Sequence, residues 1–181
     1  MNATAAYGLL AHGLIFGALV ALLPLGEMRA RAALAATALA MAVGIAPAMH
    51  GFFGTPSLTL LLLATLRLAG RPVPLGERPA RGLLAFALPF YATALGLGAF
   101  DPYALGYQPW APLALLVPVG IALCWKRQDV WLLILTLDLA AYAGGLFANL
   151  WDALFDPLLV LLALIVVSRP WATRLIASRN Q

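Results

Sequence analysis

Three groups of residues in this 181-residue chain could carry chemistry. The first is Asp138, the only charged residue of the largely apolar run Val130–Leu150. A carboxylate near the middle of a bilayer costs about 2.5–3.5 kcal/mol on insertion scales, so it must face other helices and find a partner there. At helical spacing Tyr142, Gly145 and Asn149 follow on the same face, drawing a polar stripe from the midplane outward. Such a stripe is a candidate path for a proton or a small solute, and His12 is a further titratable group that could join it. The plainer role for Asp138 is a hydrogen bond between helices, with Tyr91, Thr93, Thr37 or His12 as partner.

The second group is Asp152 and Asp156, spaced as DxxxD, with His50, Asp101 and Trp151 nearby as a candidate outer-face site for a lipid or lipid-linked substrate. Paired aspartates can hold magnesium on a pyrophosphate, but the segment NLWDALFDP offers no Lys or Arg to grip phosphates, so no metal is expected. Asp156 before Pro157 also reads as an acidic cap followed by proline at the first helical position, and Thr55 before Pro56 repeats the arrangement. The third group is His12 with His50. Their places on successive helices differ by roughly 10 Å in depth at 1.5 Å per residue, which is wrong for a shared haem, and no cofactor is expected. The chain has no Walker loop, dinucleotide fingerprint, HExxH, CxxC or GxSxG, so nothing points to an enzyme of those classes. The sole lysine, Lys126, lies between apolar segments and cannot form an intramembrane Schiff base.

The elements that must position these residues follow from composition. The chain is 64% hydrophobic and 10% charged, with a mean hydropathy of +0.94, against about 25% charged in a soluble domain. One cysteine, Cys124, excludes a disulfide scaffold. Charge, proline and glycine divide the chain into seven apolar segments at 5–25, 32–50, 56–68, 82–100, 110–125, 130–150 and 157–168. They predict an all-α, polytopic transmembrane bundle of seven spans forming a single integral membrane domain. The third and seventh are short for a bilayer core and need their flanks or their neighbours to complete a span.

Orientation follows from the cations. With the amino terminus outside, all eleven Lys and Arg residues, from Arg29 to Arg179, fall on the inner side, and the outer loops carry Asp101, Asp152 and Asp156. Trp110 and Trp151 then mark the outer boundary, while Trp125, Trp131 and Trp171 mark the inner one. The carboxyl terminus is cytoplasmic, and the expected location is the bacterial inner membrane. No basic leader or cleavage site suggests a signal peptide near the start. The sequence pI of about 9.7 is therefore a topology signal with some attraction to anionic lipids, and no nucleic acid is needed to explain it.

A weak repeat completes the reading. Gly44 precedes Pro56 by the same interval as Gly145 precedes Pro157, which suggests two three-helix sets joined by a linker helix. Three functions are open. The foremost is a non-catalytic subunit or accessory factor of an envelope complex, with membrane lipids and a membrane-protein partner or a second copy as contacts. The others are a small solute or lipid carrier opening outward beside Asp138, and an enzyme acting at the outer face.

Overall fold

The computed structural model describes residues 3–108 and 110–179, with side chains through 170. Trp171, Arg174 and Arg179, counted above, lie outside the residues whose side chains are described. Among the described residues the chain is helical with no strand: α1 (Ala3–Val20), α2 (Arg29–Ala42), α3 (Ile45–Phe53), α4 (Leu58–Leu68), α5 (Glu77–Ala94), α6 (Trp110–Trp125), α7 (Asp129–Ala143), α8 (Leu150–Leu154) and α9 (Pro157–Arg179). Single 3-10 turns cover Gly26–Met28 and Tyr103–Tyr107. By length and composition α1 could cross a membrane alone, and Gly26–Ala42 with Ile45–Phe53 could make a second, bent span; α4, α6 and Pro157–Pro170 are apolar but shorter.

Several segments end where hydropathy alone does not place them. The second segment is two helices, because Gly44 takes a left-handed φ of 83° and turns α3 by 73° from the helix before it. The sixth stops at Ala143, since Gly145 has φ 74°, and the residues up to Asn149 leave the helix. Conversely, α5 begins at Glu77 and α9 continues to Arg179, through charged residues that are good helix formers although they end an apolar run. Hydropathy marks the apolar length of a helix, and backbone chemistry marks its ends.

Small residues let the first helices approach. A Cβ on Gly17 of α1 would meet the Ala33 carbonyl oxygen of α2 at 2.8 Å, so only glycine allows that crossing. Two arginines tie one end of this group: Arg29 Nη2 donates to the Arg67 carbonyl at 2.8 Å, and Arg67 Nη2 donates to the Ala21 carbonyl at 3.3 Å. Cations at helix carboxyl ends also meet the negative end of the dipole. The core continues through α4, α5, α7, α8 and α9 around Leu60, Leu84, Phe90, Ile134, Phe155 and Leu159.

The starts of α4 and α9 meet each other. Ser57 caps α4, its Oγ accepting from the Leu60 N–H at 3.2 Å, so the cap is Ser57 and not Thr55. Asp156 caps α9 by accepting from the Leu159 N–H at 2.9 Å, and the Ser57 hydroxyl donates to the same carboxylate oxygen at 3.2 Å. Around Gly44 and around Gly145 the chain passes through the same series: a helix, a glycine with positive φ, a short helix, then a capped helix next to a proline.

Candidate binding cavity

Asp138 sits on the third turn of α7 and is 1% exposed. Its Oδ2 accepts from the Thr59 hydroxyl of α4 at 2.6 Å. Its Oδ1 has no hydrogen-bond partner among the described residues. None of Tyr91, Thr93, Thr37 or His12 is the partner: Thr37 and Thr93 donate back to carbonyls of their own helices, and His12 is turned to Gly54. Sequence reasoning missed Thr59, although a hydroxyl two residues after a capping serine, within a leucine run, was the available signal.

Asp138 and Thr59 line a cavity of about 870 Å³ between α5 on one side and α6 and α7 on the other. Its walls are apolar, with Leu83 and Phe86 of α5 facing Leu115 and Val119 of α6. The lining runs in opposite directions on the two sides. Along α5 it passes from Arg78 to Phe86, and along α6 it returns from Leu115 to Leu123 and on to Lys126. Arg78, Lys126 and Gln128 therefore form a polar end, and Trp151 with Phe155 closes the other. The ion pair between Arg81 and Glu77 engages neither Arg78 nor Lys126.

The stripe expected on α7 is not built. Tyr142 stays on the helix beyond Asp138, but the break at Gly145 carries Asn149 away to become the cap of α8. There the Asn149 carbonyl oxygen accepts from the Trp151 N–H at 2.9 Å, and its amide donates to the Tyr103 carbonyl at 3.0 Å. An outward polar path over Asp138, Tyr142, Asn149 and His12 is thus corrected to a single buried carboxyl in the lining of a cavity that Arg78 and Lys126 also line.

The other candidates are bound up in structure. The Tyr103 hydroxyl lies 3.0 Å from each oxygen of Asp152, and the Trp151 indole donates to the Pro102 carbonyl at 3.0 Å. A Cβ on Gly106 would overlap Asn149 Oδ1 and stand 2.6 Å from Trp151 Cδ1, so this clasp requires glycine. Burial raises the pKa of the Asp152 carboxyl, with the Tyr103 hydrogen bond pulling the other way; burial and the neighbouring carboxylate push the Tyr103 phenol up. Asp152 and Asp156 do share a smaller cavity of about 380 Å³ with Tyr91 and Tyr103, whereas Asp101 turns to its own loop, accepting from the Tyr103 N–H at 2.9 Å.

The bend at Gly44 also corrects the depth of the histidines. His50 folds back over Gly8, and the two imidazole centroids are 5.9 Å apart. Both rings address one oxygen, the Gly54 carbonyl, from His12 Nε2 at 2.9 Å and from His50 Nδ1 at 3.1 Å. No group of three or more metal-ligating side chains occurs among the described residues. Comparison with known proteins finds no matching family model, characterised protein or solved structure.

Proposed function

We propose that the chain is a multi-pass membrane protein, amino terminus outside and carboxyl terminus cytoplasmic, that carries a small solute or lipid by way of the cavity beside Asp138. Support for several spans comes from the outer surfaces of the helices: Leu34, Leu88, Ile121, Leu133 and Leu164, on five different helices, are each more than half exposed, a surface that suits acyl chains. In this orientation Arg78 and Lys126 are cytoplasmic, so the polar end of the cavity lies on the inner side, not the outer.

The observation that carries the reading is Asp138, a buried carboxyl that lines an otherwise apolar cavity and has one oxygen, itself buried, without a partner among the described residues. His12 Nδ1 and Arg67 Nε are also unmet, and what sets Asp138 apart from them is its place in the lining of the cavity, where a ligand hydroxyl could offset the cost of about 1–3 kcal/mol for an unmet buried polar atom. A second support is its position. Thr59 belongs to the first set of helices and Asp138 to the second, and carriers built from repeats place their substrate sites at such interfaces near the midplane. Carriage needs no reactive group, so the missing catalytic motifs do not count against it. Membership in an envelope complex draws on a different observation: Pro112 is the only buried residue of α6, a helix thinly covered by its own chain.

Two measurements test the reading. Single cysteines replacing Tyr103 and Arg78 in a Cys124→Ala background should react with an impermeant reagent from outside and from inside respectively. Reaction of position 78 in intact cells overturns the orientation. Native mass spectrometry of the purified chain should show a retained lipid-sized ligand that Asp138→Leu loses while remaining folded. A folded wild-type protein that retains nothing, and whose Asp138 variants change no transport, overturns carriage and leaves the subunit reading.

A further inference from the structure

The identity of the cargo can be narrowed, on the condition that the carrier reading holds. We infer that the cavity takes a long-chain amphiphile with two polar points: an anionic end held by Arg78 and Lys126, and a chain hydroxyl further in, held by Asp138 and Thr59.

The anionic end follows from charge. Arg78 and Lys126 both line the polar end of the cavity, and the acid nearest in sequence to Arg78, Glu77, is paired with Arg81 instead. Asp129 lies three residues from Lys126 but forms no ion pair with it among the described residues, and two cations without an ion pair at the end of an apolar cleft attract an anion, while the apolar walls beyond them accept its chain. Gln128 beside them adds a neutral hydrogen-bonding group.

The second point follows from the floor. Asp138 is nine residues beyond Asp129, where α7 begins, which places it about 13–14 Å along the helix from the polar end at 1.5 Å per residue. Thr59 fixes the carboxyl by donating to Oδ2, and Oδ1 is left over. An unsubstituted acyl chain lying there would leave that oxygen unmet. A hydroxyl at the same depth meets it once the carboxyl turns toward the cavity, since Oδ1 is itself buried, and the site then discriminates against chains that lack one, because rejection by an unpaired buried polar group is strong.

The test uses the full chain in nanodiscs of phosphatidylcholine, with 12-hydroxystearate, stearate and the methyl ester of 12-hydroxystearate as probes, and binding read by native mass spectrometry and by displacement of a radiolabelled probe. The expected result is that 12-hydroxystearate binds about tenfold tighter than stearate. Asp138→Leu should erase that preference without weakening stearate, and Thr59→Val should reduce it in case the leucine variant does not fold. Arg78→Gln with Lys126→Gln should weaken both acids about tenfold and leave the ester unchanged. Arg31→Gln with Arg71→Gln removes as much cytoplasmic charge away from the cavity and should change neither.

Equal binding of the two acids overturns the hydroxyl point. Equal effects of the two charge pairs overturn the anionic point and return Arg78 and Lys126 to topology alone. If none of the probes binds but a different lipid is retained through Asp138, the cargo assignment fails and carriage stands. If nothing is retained at all, carriage itself fails.

Discussion

Two regions of this molecule use the same residue type under opposite conditions. At the clasp, where the Pro102–Tyr107 turn grips α8, Asp152 has both oxygens on one tyrosine hydroxyl and Asn149 spends its amide and its carbonyl on neighbouring backbone. At the cavity, Asp138 has one oxygen held and one free among the described residues. Beside the clasp the aromatic rings of Phe86, Phe90, Trp151 and Phe155 pack at centroid separations of 4.9–5.9 Å, and the volume next to Asp152, about 380 Å³, is less than half that next to Asp138. The cavity is bounded by α6, which rests on α7 and on the clasp turn. Polar groups partnered across elements hold a structure together, and a buried one left with an unmet atom beside the larger empty volume is the better candidate for a ligand.

The comparison breaks most visibly at Gly106. Gly106→Ala should cost about 3 kcal/mol, because Asn149 and Trp151 cannot both yield to a methyl group without releasing the clasp. Thermal unfolding in detergent reads this directly, and a silent substitution would mean that the clasp is loose. Asn149→Ala, which removes the α8 cap and the bond to Tyr103 together, should cost about 2 kcal/mol by the same measurement. Asp156→Ala should cost roughly 0.5–2 kcal/mol, while Asp156→Asn should be nearly neutral because asparagine caps as well. Loss of ligand retention in the asparagine variant at unchanged stability, if the wild type retains one, would move Asp156 from scaffold to function.

Asp138→Leu sharpens the contrast from the other side. Although Asp138 is as buried as the clasp residues, the change should lower stability by only about 1 kcal/mol, the usual worth of an interhelical hydrogen bond in a membrane. A loss as large as that of Gly106→Ala would make Asp138 part of the scaffold.

The smallest effect concerns pH. Burial holds the folded-state pKa of Asp152 above its ordinary carboxylate value. The folded state then binds the proton more tightly than the unfolded chain, so this group's contribution is complete below the ordinary value and is lost as pH rises through the raised one. Wild type should accordingly gain stability over Asp152→Asn as pH falls from neutrality into the carboxylate range. The opposite trend would show that the Tyr103 hydrogen bond outweighs burial.

The helical character and the chain positions of the apolar helices were readable from composition and run length, since apolar side chains recur over every turn. So was the cap at Asp156, a local interaction between a side chain and an amide three residues on. The break at Gly44 was visible only as a glycine before a proline. Its 73° turn, and with it the meeting of His12 and His50, depends on which neighbours receive the turned helix.

By itself, then, the sequence determined that the chain is helical and apolar, where the prolines and caps start helices, and that Asp138 needs a partner. Only the tertiary structure decided that the partner is Thr59, that Asn149 leaves the Asp138 face, and that Gly106 must be glycine. Those outcomes rest on contacts between residues 43 to 79 positions apart, such as Gly106 against Asn149 and Thr59 against Asp138. Helical periodicity relates residues a few positions apart and carries no information about which distant face will be opposite.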